Sequence, residues 1–69
     1  MKISARNQIK GKVSKIEKGA TTSHVSIEID GGAIVMAAIT NEAVAELGLK
    51  DGEPVYAVIK ASDVMVGVD

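Results

Sequence analysis

The 69-residue chain has no cysteine, tryptophan or phenylalanine, and only one tyrosine, one proline and one histidine. Each shortage removes a class of structure or chemistry. Without cysteine there can be no disulfide, no thiolate metal ligand and no thiol nucleophile. The lone histidine, His24, cannot build a zinc site by itself and has no recognisable triad partner, so enzymatic activity is not expected. With Tyr56 as the sole aromatic, the stacking platforms that hold single-stranded nucleic acid are missing. Charge of either sign is also scarce in excess. Eight Lys plus Arg against nine Asp plus Glu leave a net charge of -1, too little to steer a polyanion, so any anion site must be local. No apolar run approaches the roughly 18 to 20 residues of a membrane helix, and the N-terminus lacks the charged-then-apolar order of a signal peptide. The expectation is a soluble, cytoplasmic protein with no membrane partner.

What is abundant is apolar surface. Hydrophobic residues make up 46% of a chain near the lower size limit for independent folding, and one small core can hardly absorb them all. With disulfides and thiolate metals excluded, oligomerisation is the expected stabiliser, through a large apolar interface between copies of the chain.

Apolar and polar residues alternate from Gln8 to Ile16, which predicts a strand with Gly11 as a bulge or close-approach point. A loop over 18–22 follows, then a second strand in which Val25, Ile27 and Ile29 alternate with His24, Ser26, Glu28 and Asp30. Asp30-Gly31-Gly32 signals a tight turn, and 33–39 reads as a strand buried on both faces. Thr40-Asn41 supplies N-cap side chains for a short helix with Glu42 in its first turn, Ala43, Val44 and Leu47 as its apolar stripe and Gly48 as its stop. After the 51–54 turn come a strand over 55–59, a polar break at 60–63 and a final edge strand in which Val64, Val66 and Val68 alternate. Five strands with one helix between the third and fourth is the order of an OB-like barrel, closed or partly open; the terminal strands could instead pair across subunits.

The polar residues at element ends suggest chemistry. Ser4 and Arg6 precede the first strand, in the cluster Ser4-Ala5-Arg6-Asn7-Gln8; Thr40 stands at the helix start; Lys60 and Ser62 follow the fourth strand. Two cations with hydroxyls and turn N–H groups are what a tetrahedral dianion requires, since each oxygen wants donors and both charges want compensation. The alternative gives Thr40 to capping, Lys60 to solvent and Ser62 to a turn.

Ser4-Ala5-Arg6-Asn7-Gln8, Ile39-Thr40-Asn41 and Val58-Ile59-Lys60-Ala61-Ser62 resemble the motifs of the molbindin, or molybdenum-pterin-binding, family. The resemblance covers essentially the whole chain. It implies a single Mop domain over 1–69, an all-β OB-like five-stranded barrel with one short helix, of the kind that recurs in molybdate-responsive regulators and transporter ATPase subunits. It further implies that molybdate or tungstate is bound as an intact oxyanion at subunit interfaces of a hexamer, a trimer of dimers, for molybdenum storage or homeostasis. Carried over by motif, the oxyanion site comprises Ser4, Arg6, Thr40, Lys60 and Ala61. Arg6 and Lys60 would neutralise charge, the Ser4 and Thr40 hydroxyls would donate, and Ala61 would offer its backbone N–H. Asn7 and Ser62 are secondary candidates. The family also has a second class of anion site near symmetry axes, for which Lys18, Gly19, Ala20, Thr21, Thr22 and Ser23 are candidates here, with a plain hairpin loop as the alternative. No organic cofactor is expected, because no pterin-sized motif is visible and the bare oxyanion suffices.

Two rivals belong to the nucleic-acid-binding class. OB-like barrels often bind nucleic acid, but this chain lacks the aromatics and the basic groove. The segment 41–55 also resembles swapped-hairpin transcription factors of the AbrB type, although its helix carries Glu42 and Glu46 where phosphate contacts need basic residues.

Overall fold

A computed structural model describes residues 1–69. Strand β1 (Asn7–Lys18) is followed by β2 (Thr22–Ile29), β3 (Ile34–Thr40), helix α1 (Asn41–Leu47), β4 (Pro54–Ile59) and one 3-10 turn (Ala61–Asp63). The four strands form one antiparallel sheet in the order β3-β2-β1-β4. Long β1 organises it. Its first half, Asn7 to Lys12, pairs with β4, and its second half, Gly11 to Lys18, pairs with β2.

The apolar residues of β1 do not keep one phase: Ile9 and Val13 are odd-numbered, Ile16 is even. A β-bulge resolves the conflict. Val13 pairs with Ile27 but Lys15 with Ser26, so Ser14 is the extra residue that turns Ile16 to the same face as Val13. The bulge is therefore at Ser14, whose hydroxyl donates to Ser26 O at 3.2 Å. Of the two readings of Gly11 the close approach holds: a Cβ there would lie 2.5 Å from Glu28 O and 3.0 Å from Ile27 Cγ2. The sheet curls around Val13, Val25, Ile27 and Ala57, the buried centre of the core.

Helix α1 begins and ends as its residues dictate. Thr40 Oγ1 accepts from Ala43 N at 3.0 Å, Gly48 adopts φ 63°, and the N–H groups of Gly48 and Leu49 close back on Ala45 O and Val44 O. Val44 and Leu49 then both pack on the core. Leu47, expected in the buried stripe, is 68% exposed, because nothing of the same chain lies beyond it.

Three further expectations are corrected. β3 is not buried on both faces: it is an edge strand paired only with β2, so Val35, Ala37 and Ile39 are half-buried while Met36 is 60% exposed. Lys18 belongs to β1, opposite Ser23, and not to the loop. Residues 64–69 form no strand, so the sheet has four strands and not five, and it stays an open, curled half-barrel. Alternation makes a strand only where a neighbouring edge can take its backbone hydrogen bonds, and no edge of this chain does so for 64–68.

The result is an apolar surface left uncovered. Five hydrophobic residues are buried, whereas Met36, Leu47, Tyr56, Val64, Met65, Val66 and Val68 are at least half exposed. A cavity of about 620 Å³ opens between β3 and β4, walled by Val25, Ile27, Val35, Ala37, Val55 and Ala57 among others.

Candidate oxyanion site

Pairing of β1 with β4 brings the first and last motifs together. Asn7 stands opposite Ile59, and its Nδ2 donates to Ile59 O at 3.1 Å, so Arg6 and Lys60 flank one ladder rung. Ala5, buried, anchors the polar cluster, and Gln8 Nε2 donates to Ala5 O at 3.1 Å. The local sequence thus holds the cations at an element end without covering them. Arg6 and Lys60 are exposed, and neither joins the two ion pairs of the structure, Lys12–Glu28 at 3.7 Å and Lys15–Glu17 at 3.5 Å.

Lys60 leaves β4 in an extended conformation and opens the 3-10 turn, in which Asp63 N donates to Lys60 O at 2.9 Å and Val64 N to Ala61 O at 3.3 Å. The carbonyls are thereby satisfied, while the N–H groups of Lys60, Ala61 and Ser62 have no acceptor within the chain. Two unpaired cations and three free backbone donors, beside the exposed Ser4, form an array suited to oxygen ligands of an anion. Asn7 contributes differently from expectation: its amide ties the two strands together.

The middle motif is not brought to this place. Thr40 pairs with Thr22, at the end of the sheet where Ser23 faces Lys18, eleven residues along β1 from Asn7. Its Oγ1 accepts from Ala43 N, which leaves its own proton free to donate. One copy of the chain therefore carries the proposed donors as two separate halves.

The loop between β1 and β2 adjoins Thr40. Gly19 N donates to Thr22 O at 2.8 Å, which tightens the loop. Ser23 is 1% exposed, and its hydroxyl donates to Asn41 Oδ1 at 2.5 Å, so it serves the fold and is out of reach of a dissolved ion. Lys18, Gly19, Ala20, Thr21 and Thr22 remain exposed. Of the two capping candidates Thr40-Asn41, Thr40 is the cap, and Asn41 bonds the loop, a role visible in the sequence only as an Asn beside a Thr. No group of three or more His, Cys, Asp or Glu residues that could hold a bare metal ion is present.

The TOBE domain model matches residues 3–66. A relative from Haemophilus influenzae, described as a probable molybdenum-pterin-binding protein, is 52% identical over 69 residues, the full length of both chains. The chain belongs to the TOBE domain family, among its molybdenum-pterin-binding members. Solved structures of this family share its fold. MopII from Clostridium pasteurianum, in an apo form, superposes with a TM-score of 0.91 at 46% identity, covering 97% of this chain and all of that one. The cytoplasmic molybdate-binding protein ModG, with molybdate bound, gives 0.94 at 48% identity, covering all of this chain and 49% of that one. The half-barrel with one short helix is thus the Mop-type, OB-like fold.

Proposed function

We propose that this TOBE-family chain binds molybdate or tungstate as an intact oxyanion, at sites shared between copies of itself, for molybdenum storage or homeostasis in the cytoplasm. The observation that carries the proposal is the split donor set. Ser4, Arg6, Lys60, Ala61 and Ser62 form one half, with Asn7 holding it together, and Thr40 presents its free hydroxyl proton at the opposite end of the sheet. A second copy brings the halves together. The uncovered groove and the exposed 64–68 segment support such assembly, because an extended apolar segment pairs well with an open sheet edge of a neighbour. A hexamer built as a trimer of dimers satisfies both requirements, with each 69-residue chain acting as one domain.

The relatives support the ligand: the Haemophilus influenzae relative is a probable molybdenum-pterin-binding protein, and ModG is a molybdate-binding protein that holds molybdate itself. Chemistry supports it too. A tetrahedral dianion keeps its own oxygens and is recognised by donors in a desolvated interface, where hydrogen bonds strengthen. The chain acts as a binding protein and not as an enzyme, consistent with its lack of any thiol and its solitary, exposed His24. No helix is long and apolar enough to cross a membrane.

Calorimetric titration of anion-stripped protein with molybdate, tungstate, sulfate and phosphate tests the proposal. Saturable binding of the first two, with sulfate much weaker, is expected; no binding, or equal affinity for sulfate, overturns it. A nucleic-acid-binding module is the alternative function, and a salt-dependent gel shift with single-stranded DNA or RNA would revive it.

A further inference from the structure

We propose that Asn41 is a positioning residue that presets the loop between β1 and β2 as a donor array for a tetrahedral oxyanion. The inference rests on the oxyanion-binding reading above and gives a role to Asn41, which stands in the middle motif but not among the donors of that site. Asn41 makes four hydrogen bonds to a single short loop and its exit. Its Nδ2 donates to Gly19 O at 3.1 Å and to Ala20 O at 3.3 Å, its backbone N donates to Thr21 O at 2.9 Å, and its Oδ1 accepts from Ser23 Oγ. The carbonyls of Gly19 and Ala20 decide which way the amide faces: they can only accept, so the NH₂ group points to them and Oδ1 to the buried Ser23 hydroxyl, which donates.

That orientation has a geometric consequence for the loop. All peptide bonds here are trans, and in a trans peptide the C=O and the following N–H point in opposite directions. Holding Gly19 O and Ala20 O against Asn41 turns the N–H groups of Ala20 and Thr21 outward. Neither has an acceptor within the chain, and both residues are exposed. Beside them stand Lys18, which joins no ion pair, and the hydroxyl of Thr22, which sits directly across the ladder from Thr40. A side chain with one acceptor and two donors is needed to make this set of bonds. Aspartate has no donors to offer the carbonyls, and alanine has nothing to offer at all.

The test is a molybdate titration of the deuterated, ¹⁵N-labelled full chain, followed through its backbone amides. In the wild type, Ala20 and Thr21 are expected to shift along with Lys60, Ala61 and Ser62. In Asn41→Ala and Asn41→Asp, the response of Ala20 and Thr21 should weaken about tenfold while that of Lys60 to Ser62 persists, the scale expected for losing two hydrogen bonds. An unchanged loop response in these variants overturns the proposal, and so does an equal loss at both groups, which would mean that Asn41 acts on fold or assembly as a whole. Wild-type shifts confined to Lys60–Ser62 overturn this proposal alone. No shift at any amide overturns the oxyanion reading beneath it. Should both Asn41 variants fail to fold, Ser23→Ala keeps Asn41 but removes the hydroxyl that anchors its Oδ1; a loop response that is selectively weakened supports the proposal, and an unaltered one refutes it.

Discussion

Arg6→Ala separates binding from folding more cleanly than any other change in this chain. The guanidinium is exposed and makes no hydrogen bond or ion pair within the protein, and the neighbour that anchors the segment, Ala5, is untouched. The cost to stability of one subunit should therefore lie within about 0.5 kcal/mol. The cost to binding is of another order. Removing one charged donor from a desolvated dianion leaves the anion short of both a charge and a bidentate contact, which costs about 2 to 4 kcal/mol. At about 1.36 kcal/mol per tenfold, affinity falls about 30- to 900-fold. Arg6→Lys keeps the charge but loses the planar fork, and should fall between wild type and Arg6→Ala. Calorimetry with molybdate gives the affinity, thermal unfolding at matched concentration gives the stability, and sedimentation gives the oligomeric state. Retention of affinity within threefold would remove Arg6 from the site. A collapse in melting temperature would mean that the residue holds the fold and that the inference from its free side chain was mistaken.

Other perturbations probe separate links. Lys60→Ala should weaken molybdate binding as Arg6→Ala does, and the loss should shrink as ionic strength rises if the site stays open to solvent. Thr40→Val removes both the helix cap and the free hydroxyl proton, costing about 1 kcal/mol of stability along with affinity, whereas Thr40→Ser should preserve both, as calorimetry and thermal unfolding would report. Gly11→Ala should destabilise by about 1 to 3 kcal/mol, because its methyl would meet the backbone oxygen of Glu28, and chemical denaturation measures this directly. Deleting residues 64–69 should shift the sedimentation profile toward smaller species, since the exposed valines and Met65 have no role within one chain; an unaltered oligomer would show that the tail does not join the interface.

The local elements were largely legible from residue order. Thr40, Glu42 and Gly48 bracket the helix by capping, and the structure has it at Asn41–Leu47; Gly31 and Gly32 turn the chain with φ of 95° and 88°. The failures share a cause. Leu47, Met36 and the alternating valines of the tail look like core or strand, yet they lack a partner within this chain. Apolar character states that a residue should be covered, not which molecule covers it. Residues 8–16 read as one alternating strand, but the phase breaks between Val13 and Ile16, and its placement at Ser14 depends on the register against Ser26 and Ile27.

The sequence by itself determined the candidate donors: two cations, a set of hydroxyls and turn N–H groups, with no thiol or histidine cluster to suggest other chemistry. Their motif spacing also carried the family resemblance. Only the tertiary structure decided which of them meet. The Asn7–Ile59 rung unites Arg6 with Lys60 across more than fifty residues, whereas Thr40 is carried to the far end of β1, where Asn41 binds it to a different loop. Strand register is a property of paired edges, so it cannot be read from one segment at a time. In this chain it sends the motifs of a single line to two separate ends of the sheet.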